Sequence, residues 1–483
     1  MSNFFSRRLL AALGSCALIA GVAASAGPAQ ATPSPTCPSP IVAGDEVLCG
    51  TFADGATYLI EVPANWNRTL FLYSHGYVAP GAANPADDVG DPVTGGWLLT
   101  HGYALAGSSY ATTGWSIASA LPDQFATLRT FYRLVGRPRT TIAWGQSLGG
   151  IITAGLIQQY PHAFSAALPM CGVLSGGVAT WNTALDGAFA FQQLIDSSVS
   201  VVNILSPASN LQGAETALTT AQSTPQGQAR IALVAALADI PGWFTPLSPE
   251  PASDDYAGQE ANQYLWESEV DFPFIFDFRA QLESVAGGNP SWTAGVDFAS
   301  QLRRSADQAE VRALYKAAGL KLSADLRTLQ NASPVKADPA AVGYLARNIS
   351  FTGKIDVPVL SMHTTGDGLV VPENERAYAS VVARAGRSAL LRQVFVARAG
   401  HCAFTPAETI AAATALLNRL RTGVWDDRAL RPARMNATAT ALGASYNIYV
   451  SNGSVVPVAA AFTRYNPKPY LRPFDLLRFR IHP

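Results

Sequence analysis

Ser147 lies in Thr141-Ile142-Ala143-Trp144-Gly145-Gln146-Ser147-Leu148-Gly149-Gly150, with a glycine two residues before it and another two after. The pattern is G-x-S-x-G, which sets a serine hydroxyl on a sharp strand-to-helix turn. A serine hydroxyl is a weak nucleophile at neutral pH. It needs a base to take its proton, and the base needs an orienting group. Two candidates for these partners follow in order. Asp367 ends Met362-His363-Thr364-Thr365-Gly366-Asp367, and His401 stands in Ala399-Gly400-His401-Cys402. Asp356 and Glu373 compete for the acidic position. His75, His101, His162 and His363 compete for the base, but none follows a strand near the end of the chain. His101 and His162 read as surface or capping residues.

The elements around these residues support the same chemistry. Residues 141–144 read as a short buried strand, and Gly149 to Tyr160 reads as a helix. Further strands are expected at Thr57–Val62, Thr69–Tyr73, Tyr103–Ala106, Phe164–Met170, Val357–Met362 and Leu390–Val396. Helix-face spacing predicts helices over Gln124–Val135, Asn374–Ala385 and Thr405–Arg421. Short apolar strands alternating with helices specify an α/β fold with a mostly parallel sheet covered on both faces. The alternation stops after Gly172. From 174 to 347 the chain reads as Ala- and Leu-rich helices, including Leu211–Gln222, Gln228–Asp239, Asn262–Val285 and Gln308–Ala318. This block reads as an inserted helical cap. It carries Trp181, Trp243, Phe244, Trp266, Phe272, Phe274, Phe276 and Phe278, mostly as core and partly as the wall of an apolar pocket. Glu267, Glu269 and Asp271 read as a solvated helix face or as a site for a substrate's free amine. The expected division is therefore 32–173 and 348–423 as the two halves of the α/β core, 174–347 as the cap and 424–483 as a small β-rich extension. That extension contains a hairpin around Ser451-Asn452-Gly453-Ser454.

On these residues the chain, from about Thr57 to Gly423, resembles the α/β-hydrolase superfamily. The resemblance implies Ser147 as nucleophile, Asp367 as orienting carboxylate and His401 as general base. It also implies an oxyanion hole formed by the N–H groups of Leu148, at the start of the helix, and Tyr77. Tyr77 follows His75-Gly76 in the loop after an early strand. Cys171 and Cys402, with Cys402 directly after His401, look like the Cys-Ser…Asp…His-Cys arrangement of tannases and feruloyl esterases. Gln146 stands where that arrangement has a cysteine, and no lid calcium site can be traced.

Composition bounds the rest. The 483 residues carry a formal net charge of -1, which argues against nucleic acid or an anionic membrane as the main partner. There is no phosphate-cradling glycine loop and no zinc-spaced Cys/His cluster, so neither a cofactor nor a metal is expected. Arg7-Arg8, the apolar run Leu9–Ala26 and Ala29-Gln30-Ala31 read as a signal peptide over 1–31, and hence as a secreted protein without an integral membrane segment in the mature chain. Cys16 leaves with that signal. Cys37, Cys49, Cys171 and Cys402 remain, with three possible connectivities. The pairings Cys37–Cys49 and Cys171–Cys402 are the expected ones. The leading functional expectation is a secreted serine esterase acting on a small-molecule or polymeric ester. An aminopeptidase of the prolyl or tripeptidyl type and a non-catalytic binding protein on the same fold are the alternatives.

Overall fold

Short runs of β-branched, aromatic and small apolar residues build one central sheet in the computed structural model, which describes residues 37–451 and 454–475. The expected signal peptide lies outside the described residues. The strands are β1 (Glu46–Thr51), β2 (Thr57–Val62), β3 (Thr69–Ser74), β4 (Tyr103–Ser108), β5 (Thr140–Gln146), β6 (Ala166–Met170), β7 (Val359–Gly366) and β8 (Leu391–Ala399). Their spatial order is β1-β2-β4-β3-β5-β6-β7-β8. Neighbours from β4 to β8 run parallel, whereas β1 and β2 pair antiparallel at one edge.

The central strands read as continuous apolar runs because both faces are buried. Alternate side chains enter separate cores. Leu70 and Leu72 of β3 pack with Leu128 and Phe131 of helix α2 (Ile117–Leu134) and with Ile151 of α3 (Leu148–Gln159). Phe71 and Tyr73 pack in the opposite layer with Trp144, with Leu98 of the helix Pro92–Thr100, and with Leu416 of the helix Pro406–Thr422.

Between β6 and β7 the chain forms only helices among the described residues. They are Gly177–Leu194, Pro207–Gln222, Pro225–Ala238, Tyr256–Trp266, Arg279–Ala286, Phe298–Arg304, Gln308–Ala317, Leu322–Asn331 and Pro339–Arg347. They enclose a hydrophobic core of their own, with Phe189, Phe191, Ile231, Leu233, Phe272 and Phe276 at its centre. The expected continuous helix over 262–285 is instead interrupted by π-helical turns at Glu267–Asp271 and Pro273–Phe278. Pro273 has no N–H to give to the preceding turn, and a local widening accommodates it.

The C-terminal stretch begins with a helix, Pro432–Ala441. Its hairpin follows as β9 (Ile448–Ser451) and β10 (Ser454–Pro457), paired antiparallel; turn residues 452 and 453 lie outside the described residues. A two-residue strand, β11 (Phe462–Thr463), then pairs antiparallel with β8 and extends the main sheet. No helix among the described residues is long and apolar enough to cross a membrane.

The helical insertion buries carboxyl groups that lack ionic partners. Burial, reinforced by the charge of Asp307, raises Glu310 to about 9, and burial raises Glu260 and Asp307 to about 7. Their unfolded values are the ordinary 4.5 for Glu and 3.8 for Asp. Between those values and about 9 the folded chain therefore holds more protons than the unfolded chain. Stability falls as pH rises through that window. Urea unfolding followed by tryptophan fluorescence is expected to give a lower midpoint at pH 8.5 than at pH 5.5, and Glu310→Gln is expected to narrow the difference. Equal midpoints in the parent protein at the two pH values would contradict this.

Candidate active site

Ser147 occupies the turn between β5 and α3 with φ 59° and ψ −125°, a left-handed conformation that a non-glycine residue rarely adopts. Its N–H donates to Met170 O at the end of β6 (3.1 Å), and its carbonyl accepts from Gly150 N–H (2.8 Å). The flanking glycines are required by close approach. A Cβ at Gly149 would strike Ser74 O and lie 2.7 Å from His75 O. One at Gly145 would also strike Ser74 O and lie 2.7 Å from Gly149 O. The first turn of α3 is thus pressed against the end of β3, and the serine side chain is left half-exposed at the rim of the sheet.

Asp367 directly follows β7, and His401 follows β8 by two residues. His401 Nδ1 lies 2.8 Å from Asp367 Oδ2, while Asp367 Oδ1 accepts the Val370 N–H at 3.0 Å. Asp367 is fully buried, whereas the His401 side chain keeps 19% of its surface. Burial alone would raise the aspartate's pKa. The charge of His401 and the hydrogen bonds of His363 and His401 outweigh it and hold Asp367 below the ordinary range.

The histidine loop is tied at several points. Gly400 N–H donates to Gly366 O (3.0 Å), and Thr364 Oγ1 donates to Gly400 O (2.8 Å). The buried Arg398 donates to Ala403 O (2.7 Å) and to both carboxylate oxygens of Glu408. Glu408 in turn forms a capping box with Thr405. Cys402 is disulfide-bonded to Cys171, the residue after β6, and Cys37 is bonded to Cys49. A covalent and hydrogen-bonded path therefore links His401 through Cys402, Cys171 and Met170 to the backbone of Ser147. His401 Nε2 lies 3.4 Å from Cys402 Sγ; among the described residues no hydrogen bond joins it to Ser147 Oγ.

Leu148 opens α3, so its N–H has no intrahelical acceptor and stands at the positive end of the helix dipole. The loop after β3 runs beside Ser147. A Cβ built on Gly76 would lie 3.3 Å from Ser147 Cβ and 3.7 Å from Oγ. His75 stacks on Tyr110 at 4.0 Å, and Tyr110 Oη donates to His75 O, which steadies this loop. The Tyr77 ring meets Phe274 and Phe278 of the insertion, with centroids 4.9 and 5.8 Å away. Trp243, Trp266 and Pro246, also of the insertion, lie directly on the backbone at Gly366, Gly368 and Gly400. The insertion therefore covers the loops that carry Tyr77, Asp367 and His401.

Serine on a left-handed elbow after β5, acid after β7 and histidine after β8 decide the architecture. The chain has the α/β-hydrolase fold. No protein-family model matches it. A relative from Xanthobacter agilis described as an o-phthalyl amidase is 27% identical over 425 residues, spanning 81% of this chain and 90% of the relative. Feruloyl esterase B from Aspergillus oryzae covers 79% of this chain and 81% of its own at 14% identity, with a TM-score of 0.40. The rice cell wall degrading esterase LipA from Xanthomonas oryzae covers 73% and 82% at 15% identity, with a TM-score of 0.34.

Of the competing residues on this α/β-hydrolase frame, His75 lies in the loop after β3 and Glu373 is buried at the start of the helix Glu373–Arg384. Asp356 is exposed and pairs with Arg387 at 3.1 Å. His101 caps the helix Pro92–Thr100, and His162 is exposed. Glu267 and Asp271 are buried while Glu269 is exposed, so the three do not share a solvated face. His363, a competitor for the base in the sequence, is instead a neighbour of the acid. It is fully buried in β7, 3.5 Å from Asp367 Oδ2 through its Nε2. Its spacing four residues before the acid was the available signal.

The two disulfides close loops of very different length, with separations of 231 and 12 residues. Removing the longer one is expected to cost more, about 2–5 kcal/mol. Thermal and urea unfolding of Cys171→Ala/Cys402→Ala against Cys37→Ala/Cys49→Ala tests this. A smaller loss in the first pair would contradict it.

Proposed function

We infer that this chain is a serine hydrolase that cleaves carboxylic esters through an acyl-enzyme. Ser147 Oγ attacks the ester carbonyl as His401 Nε2 takes its proton. The N–H groups of Leu148 and Tyr77 receive the oxyanion, each contributing about 3 kcal/mol. His401 returns the proton to the departing alcohol. It then takes a proton from water, which attacks the acyl group and releases the acid and Ser147. Asp367 keeps the imidazole oriented and stabilises its charged form. No step calls on a metal or cofactor. The observation that carries this reading is the 2.8 Å contact between the buried Asp367 and the partly exposed His401, on a loop tethered through Cys171 to the end of β6, whose Met170 O holds the Ser147 N–H.

Residues 174–347 act as a cap that selects the substrate. Tyr77, Phe274 and Phe278 form an aromatic cluster above the nucleophile loop, which suits aliphatic or aromatic acyl groups better than charged ones. The two disulfides fit an exported protein. A second reading keeps the machinery and changes the bond to an amide. It is favoured by the relative described as an o-phthalyl amidase.

Turnover of p-nitrophenyl acyl esters, aminoacyl p-nitroanilides and a phthalyl amide separates these readings. Ester turnover is expected to dominate, and a fluorophosphonate probe is expected to label Ser147. Ser147→Ala should lower kcat about a million-fold and Asp367→Asn about ten-thousand-fold. Anilide turnover that exceeds ester turnover and disappears on blocking the amine would install the aminopeptidase reading. Absence of labelling in the folded protein would leave a binding protein.

A further inference from the structure

His363 has acceptors at both ring nitrogens. Nδ1 lies 3.1 Å from Glu375 Oε1, in the helix Glu373–Arg384. Nε2 lies 2.6 Å from Val370 O and 3.5 Å from Asp367 Oδ2. A carbonyl oxygen can only accept, so Nε2 carries a proton. The state of Nδ1 depends on Glu375. Its Oε2 already accepts from Ser361 Oγ and from Gln393 Nε2, the latter at 2.5 Å. Both of those donors fall on Oε2, which leaves Oε1 to accept from Nδ1. Acceptors facing both ring nitrogens suit an imidazolium.

The surrounding charges agree. Glu375 and Glu373 face the ring from the helix after β7, beside the phenol of Tyr378. Asp367 stands at the end of β7, with His401 and the buried Asp271 of the insertion beyond it. Burial opposes a charge on His363, but its bonds to Asp367 and Glu375 and their charges raise it to about 10.

We propose that His363 is a positioning residue, a standing imidazolium behind the acid of the triad that keeps Asp367 ionised and aimed at His401 Nδ1. This rests on the triad reading above. Its consequence is that the proton between His401 and Asp367 stays on the imidazole throughout the cycle. Without the cation, Asp367 would stand buried beside Asp271 and would take up a proton more readily, turning from acceptor into donor.

The test measures the pH dependence of ester turnover and of fluorophosphonate labelling for the parent protein, His363→Gln and His363→Gln/Glu375→Gln. The double variant removes the private counter-ion together with the cation, so that an unpaired Glu375 does not decide folding. In both variants the acid limb of each profile is expected to move to higher pH by about one pH unit or more, with KM little changed. Imidazole ¹⁵N NMR of the parent protein should show His363 doubly protonated from pH 5 to 8.5. Limbs that stay in place while activity falls uniformly, or a neutral His363 at pH 7, would overturn the proposal. A parent protein that neither labels nor turns over ester would instead overturn the triad reading, and this inference with it.

Discussion

The carbonyl of Ser74 is the surface against which this active site is built. β3 ends there, and the turn from β5 into α3 must pass close enough that neither Gly145 nor Gly149 can carry a side chain. That approach sets two things at once. It forces Ser147 into a left-handed conformation, at a cost of about 1–3 kcal/mol, which lifts its side chain away from the sheet. It also brings the residues following Ser74 alongside the serine, so the proposed oxyanion donors, Leu148 and Tyr77, come from the two chain segments that make the contact. The strain persists because β5 is buried between β3 and β6 and because Ser147 N–H is held by Met170 O.

The acid and the histidine are positioned by a different means. Both sit on loops after neighbouring strands, and loops lack a ladder to fix them. Here the fixing is done by groups outside the chemistry: the Cys171–Cys402 bond, Arg398 with Ala403 O and Glu408, and the Gly400–Gly366 hydrogen bond. A buried ion pair such as Arg398–Glu408 adds little net stability. Its value here is geometric. Glu408 caps its helix, receives Arg398 and accepts the Ala461 N–H, so one carboxylate joins the histidine loop, the following helix and the segment leading to β11.

The parts of this design that were legible in the sequence are those written in local pattern. Alternating apolar runs marked the buried strands. The order Ser147, Asp367, His401 was visible because each residue directly follows such a run, and the change to uninterrupted helix marked the insertion. What was missed depends on partners distant in the chain. β11 has two residues, too few for any period, and is a strand only because β8 offers an edge. The helix Pro92–Thr100 lacks an amphipathic pattern, since Val93, Gly96 and Trp97, off the buried face of Thr94, Gly95, Leu98 and Leu99, are not polar either. The interruption of the helix near Pro273 was hidden by strong helical periodicity on either side. Glu267 and Asp271 resembled a wet helix face and proved buried, because solvation depends on what packs above a residue.

His363 belongs to the same class of hidden feature and bears on how such a site can work. A carboxylate sealed from water is a poor place for a charge, and Asp367 also has the buried Asp271 of the insertion near it. In the proposed cycle His401 is not a constant counter-ion, because that imidazole is neutral before attack and charged after it. A group that keeps its proton through that cycle would hold the acid ionised throughout. A histidine held between a second carboxyl group and a backbone carbonyl, the role proposed for His363, would meet that requirement, since both ring nitrogens face acceptors. The insertion that closes over these loops makes the requirement more severe, because every water it excludes weakens the solvation of Asp367 and strengthens the pull of the charges that remain.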